Sequence, residues 1–174
     1  MNSQIVVLLF RLFHIVAGVF WVGSILFFAR FLFPAAQALG PGAGPVLDYI
    51  TRVKKMPQTL LGAGFVTVLS GLGLYWHDSA GFQSDWVRSP TAMVFGTGAV
   101  LALIALVFGI LVNKPAAERL GALAGEIKAG GGPPTPVQLA EMQTLQAKLK
   151  GALRVVATLL FLTTVAMALA RYVG

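Results

Sequence analysis

The sequence predicts an all-α fold: a bundle of four transmembrane helices with a cytoplasmic helical hairpin extending spans three and four. Three observations predict it. The 174 residues are 57% hydrophobic and 11% charged, whereas a water-soluble domain carries about 25% charged residues. Four apolar runs are each long enough for a bilayer core of about 30 Å, which takes about 20 helical residues. The Lys and Arg residues lie between those runs and distribute unequally over the two sides.

The first run, Ile5 to Phe33, is over-long and predicts a helix that tilts or projects beyond the hydrocarbon. Ala36-Gln37-Ala38 after it has the look of a cleavage site. A basic leader is missing, however, the apolar stretch is about twice that of a signal peptide, and Arg30 interrupts its end, so the span is expected to stay uncleaved. The second run, Thr59–Trp76, is short, and Pro57 suits the first turn of its helix. The third, Thr91–Val112, opens at Ser89-Pro90, and the fourth is Ala152–Val173. Together they make a single integral membrane domain, 1–174.

Between spans one and two, Gly40-Pro41-Gly42-Ala43-Gly44-Pro45 breaks the helix. Val46, Leu47, Ile50 and Val53 then share one face of a short amphipathic segment beside Arg52, Lys54 and Lys55, suited to an anionic leaflet. The hairpin occupies about 115–150. Leu120, Leu123 and Ile127 recur at helical spacing in its first arm, and Gly130-Gly131-Gly132-Pro133-Pro134 turns the chain. Thr135 is placed to cap a second arm that opens with Pro136 and carries Leu139, Met142, Leu145 and Leu149. The two arms either close on each other or present a docking surface for other membrane protein subunits.

Ten of the 13 Lys and Arg residues and four of the six acids fall on the side of the two long loops, giving +6 there and +1 opposite, of the total +7. The positive-inside rule puts those loops in the cytoplasm and both termini outside, in an inner (cytoplasmic) membrane. Tyr75, Trp76, Trp86 and Tyr172 then form an aromatic belt at the outer interface. Basic charge placed this way is a topology signal, and no nucleic-acid partner is expected. The absence of cysteine excludes disulfides, thiolate metal sites and cysteine nucleophiles.

Chemistry concentrates in the first span. At about 100° per residue, Trp21 falls about 20° from His14 around the axis, with Gly18 and Ile25 close by on the same face. Arg30 faces the opposite way and is expected to snorkel at the inner interface. An intramembrane histidine is costly and must be satisfied. Three uses are open: a bond to a hydroxyl or carbonyl of a neighbouring span, contact with haem or quinone, or metal and proton transfer. His77 lies at the outer mouth of span two, while His14 lies about 13 Å deeper at about 1.5 Å per residue, so the two are mismatched in height for one iron. His77-Asp78 is a weak candidate for copper and otherwise an interfacial loop. Gly98, Ala102, Ala105 and Gly109 in span three, and Gly64, Thr67 and Gly71 in span two, form small-residue stripes for close helix packing. Spans two to four hold no central acid or lysine, which argues against a proton-relay transporter.

The pattern His14-x6-Trp21-x8-Arg30, within HIVAGVFWVGSILFFAR, resembles the opening span of the HemJ/CopD-type small membrane proteins. The stretch MPQTLLGAGFVTVLSGLGL is similar to their second span, so the resemblance covers about the first 75 residues. It implies a four-span architecture and a b-type haem associated with His14, with Gly18 and Trp21 beside it. The family's further histidine after the arginine is replaced here by FLFPAA, and its later-span lysine by SPTAMVFGTG. Protoporphyrinogen oxidase activity is therefore not carried over. The expected function is a non-catalytic membrane subunit or scaffold of a respiratory, photosynthetic or haem-handling complex. The alternatives are a haem-b redox protein using His14 and CopD-like copper handling.

Overall fold

Almost every apolar run becomes helix, because a backbone in lipid must satisfy its own hydrogen bonds. The computed structural model describes residues 3–173, which are helical throughout apart from short connections and contain no strand. Four helical rods are long and apolar enough to cross a membrane: Ser3–Leu39, Met56–Asp78, Pro90–Ala129 and Pro136–Tyr172. The chain is an integral membrane protein built as an all-α bundle.

The first rod joins α1 (Ser3–Phe27) to α2 (Phe33–Leu39) through a π-type turn, Phe28–Leu32. It runs beyond the apolar limit at Phe33 and passes through Pro34. Proline inside an α-helix clashes with the carbonyl four residues back. A wider turn placed just before Pro34 relieves that conflict, so the rod continues without breaking. Gly40, at φ 55°, ends it. The amphipathic segment that follows is a short helix, α3 (Gly44–Asp48), and a second π-type turn, Tyr49–Val53. Lys55 then reverses the backbone at φ 50° into α4 (Met56–Asp78), which carries Pro57 in its first turn.

Three successive left-handed residues, Ala80, Gly81 and Phe82, return the chain toward α5 (Pro90–Phe108). The tightness of that return is held by Ser79, which is buried. Its Oγ donates to the Trp76 carbonyl (3.2 Å) and accepts from the Phe82 N–H (3.1 Å). Phe82 thereby lands edge-on against Trp76, with Tyr75 beside it and Trp86 edge-on to Tyr75. Ser89 caps α5 by accepting from the Ala92 N–H (3.1 Å).

A third π-type turn, Gly109–Asn113, joins α5 to α6 (Lys114–Ala129), and α7 (Pro136–Leu169) begins after the glycine turn. Spans three and four therefore run on into the hairpin as expected. Its arms close on each other: Leu123 is almost fully buried, and the Arg119 guanidinium forks onto both oxygens of Glu141 (2.6 and 3.0 Å) and onto Glu126 (2.8 Å). Those acceptors, Glu141 first, hold the Arg119 pKa above its ordinary value. The group is solvent-exposed, so the fork orients the arms more than it stabilises them. Arg52 ties the first loop to the same arm by donating to the Gly121 carbonyl (2.6 Å).

Thr135 and Gln138 form a full capping box at the start of α7, each side chain accepting from the other's backbone N–H (3.3 and 2.9 Å). Thr135→Ala is expected to cost about 1 kcal/mol. The loss should appear as faster amide exchange confined to the first turns of α7; unchanged exchange there would contradict it.

The four long helices associate as two antiparallel pairs, α1 with α4 and α5 with α7, and the pairs meet most closely in the half nearest the hairpin. There Trp21, Ile25, Leu60, Leu106, Leu153, Val156 and Leu160 make one continuous core. The other half, toward both termini, is open between the pairs.

Candidate functional site

The site begins with small residues on α4. A side chain at Gly71 would meet the His14 ring at 2.8 Å, one at Gly64 the Trp21 indole at 3.0 Å, and one at Gly73 the Phe10 ring at 2.8 Å. Gly18 in turn lies against Thr67. The chemical face of α1 and the small-residue stripe of α4 are therefore one interface, with His14, Gly18 and Trp21 level with Gly71, Thr67 and Gly64. Missing side chains on α4 let the two rings approach its backbone, as small residues do between membrane helices.

That approach gives His14 its partner. Its Nδ1 lies 2.8 Å from the Thr67 carbonyl oxygen. A carbonyl only accepts, so Nδ1 carries the proton and donates. In the neutral ring the lone pair then belongs to Nε2. The Thr67 hydroxyl is turned back onto Ala63 O (2.8 Å), and the Thr67 carbonyl also accepts from Ser70 Oγ (3.1 Å). No hydrogen bond reaches Nε2 among the described residues. Of the uses open from the sequence, the bond to a neighbouring span's carbonyl is present, and it occupies only one of the two ring nitrogens.

His14 lines a cavity of about 620 Å³ between the two helix pairs. Small-molecule sites occupy about 300–1,000 Å³. Trp21, Ala102 and Leu160 line it at the end adjoining the core, where Leu160 has no exposed surface. The wall is almost wholly apolar. The polar exceptions are Thr67, Thr163 and Thr164, whose hydroxyls all bond to carbonyls of their own helices, together with His14 and a charged mouth. At that mouth stand Arg11, Asp78, Arg171, Tyr75 and Trp86. The arrangement suits a largely apolar guest with acidic groups at one end.

The structure brings His14, Gly18 and Trp21 together around this cavity and leaves His77 outside it. His77 lines a separate shallow groove with Arg11 and the first turns of α1. Its Nδ1 lies 3.2 Å from Asp78 Oδ1, so these two residues engage each other at the surface. No group of three or more metal-ligating side chains occurs among the described residues. Arg30 sits in the π-type turn, exposed and away from the cavity. Arg11, Met167 and Arg171 were not among the residues singled out from the sequence. In the sequence the two arginines carry only a topology signal, and Met167 has none within its apolar run.

Neither a family model, nor a curated protein, nor a solved structure matches this chain.

Proposed function

We propose that the chain is a membrane subunit that holds a flat, largely apolar cofactor with acidic substituents between its helix pairs, and that haem b fits the site best. The carrying observation is His14, which lines the 620 Å³ cavity with Nδ1 anchored on the Thr67 carbonyl and with no hydrogen bond at Nε2 among the described residues. Metal-ligating histidines commonly donate the second ring N–H to a carbonyl in this way, which fixes the tautomer and the ring orientation. Arg11 and Arg171 at the mouth are suited to acidic groups. Trp21 sets the depth of the site and separates it from the core. Bound haem supplies one-electron chemistry; the chain's own residues bind, orient and exclude water.

The resemblance of the first two spans to HemJ/CopD-type proteins supports the same reading. The excess of basic residues on the hairpin side supports an inner-membrane orientation with the hairpin in the cytoplasm and the cavity mouth outside. No step of protoporphyrinogen oxidation is assigned to these residues. The His77–Asp78 pair gives copper handling little support.

An absorbance spectrum of gently purified protein, before and after addition of hemin, tests the proposal. A Soret band is expected in the wild type and is expected to disappear in His14→Ala. A wild type that takes up no hemin, or a band that survives His14→Ala, would overturn it. A second reading, a scaffold without cofactor, is favoured by Val137 and Leu139, which stay exposed on the hairpin. Stoichiometric co-purification with a larger complex and no Soret band would establish that instead.

A further inference from the structure

Met167 lies on α7, lines the same cavity as His14, and belongs to the opposite helix pair. Its depth follows from the packing of the notches. Gly64 faces both Trp21 and Leu106, so positions 21, 64 and 106 are level. Seven residues toward the mouth on each helix, about 10 Å at about 1.5 Å per residue, stand His14, Gly71 and Ala99. Gly98, beside Ala99, is the notch in which Met167 rests: a side chain there would meet Met167 Cε at 3.0 Å and Cγ at 3.6 Å. His14 on Gly71 and Met167 on Gly98 are therefore one layer, seen from the two sides of the cavity. In each pair a glycine lets a ligating side chain lie close to its partner helix. The height mismatch that separates His77 from His14 does not apply to Met167.

We infer that Met167 is the second axial ligand of the bound haem, opposite His14. This inference rests on the haem reading above and adds the ligand set. Imidazole with thioether is an established axial pair, and the thioether raises the reduction potential relative to a second imidazole. Met167 has the polarizable sulfur for that role and an unbranched side chain that can swing from its glycine notch. Among the described residues, no other sulfur or imidazole lines the cavity with His14.

The test uses full-length protein loaded with hemin, comparing wild type with Met167→Leu, Met167→His and His14→Ala. The wild type is expected to be low-spin, with the weak near-infrared band of a ferric iron–thioether bond. Met167→Leu should keep its haem stoichiometry, lose that band, turn high-spin and bind carbon monoxide more readily when reduced. Met167→His should regain the low-spin state without the band and show a lower midpoint potential. If Met167→Leu leaves the spectrum unchanged while His14→Ala loses the haem, the methionine assignment is overturned and the haem reading stands. A wild type that binds no hemin overturns both.

Discussion

Trp21→Ala is expected to destabilise the bundle by about 3 kcal/mol, at the lower end of the range for removing a buried aromatic side chain. Trp21 is only 4% exposed and joins both helix pairs, with its indole on Gly64 and Leu106 reaching the same notch. The driving force in lipid is packing rather than escape from water, which places the figure low in the range. Collapse cannot recover the loss, because the neighbouring surface is the α4 backbone at a glycine. The void would also open into the cavity above it. Unfolding in mixed detergent micelles would measure the cost, with Trp21→Phe expected to lose clearly less. A change below about 0.5 kcal/mol, within the range of ordinary surface substitutions, would show that Trp21 is not a keystone between the pairs.

The residues behind that prediction were partly legible from the sequence. Helical periodicity places His14, Gly18 and Trp21 on one face, and this face does meet α4. The stripe of Gly64, Thr67 and Gly71 marks a close approach, which the structure shows. The cap at Thr135, the opening of the third span at Ser89-Pro90, Pro57 in the first turn of α4 and the hairpin continuing spans three and four also follow from local chemistry. Helix ends were less legible. Hydropathy stops at Phe33, while a backbone already in helix runs on until Gly40, at φ 55°, releases it. The π-type turns left no mark in the hydrophobic pattern, since one added residue per turn leaves neighbouring positions apolar either way.

The cavity itself was not legible. Periodicity assigns faces to a helix but says nothing of which helices pair, or how far apart the pairs stand. That spacing arises when Trp21, Leu106 and Leu160 fill the half nearest the hairpin while Gly71, Gly98 and Ala99 leave the half nearest the termini thin. Met167 became visible only through Gly98, a notch whose occupant lies on another span. The charges of Arg11 and Arg171 entered the topology count, where their shared position at one mouth has no expression.

Two glycines of α4 should respond to the same substitution with opposite sign. At Gly62 an added methyl meets nothing within 4 Å, so Gly62→Ala is expected to stabilise the helix by up to about 1 kcal/mol through propensity alone. At Gly71 it would sit 2.8 Å from His14 Cε1 and 2.9 Å from Nδ1. Either the ring leaves the Thr67 carbonyl or the helices separate, and such overpacking costs about 1–3 kcal/mol. Gly71→Ala should therefore lower stability and, on the haem reading, reduce hemin uptake along with it. Removing the ring distinguishes a local clash from a general defect in the helix. In the Gly71→Ala, His14→Ala double variant the clash is gone, so its stability should exceed the sum expected from the two single changes. Additive losses, or equal responses at positions 62 and 71, would mean that the imidazole is not held in the α4 notch.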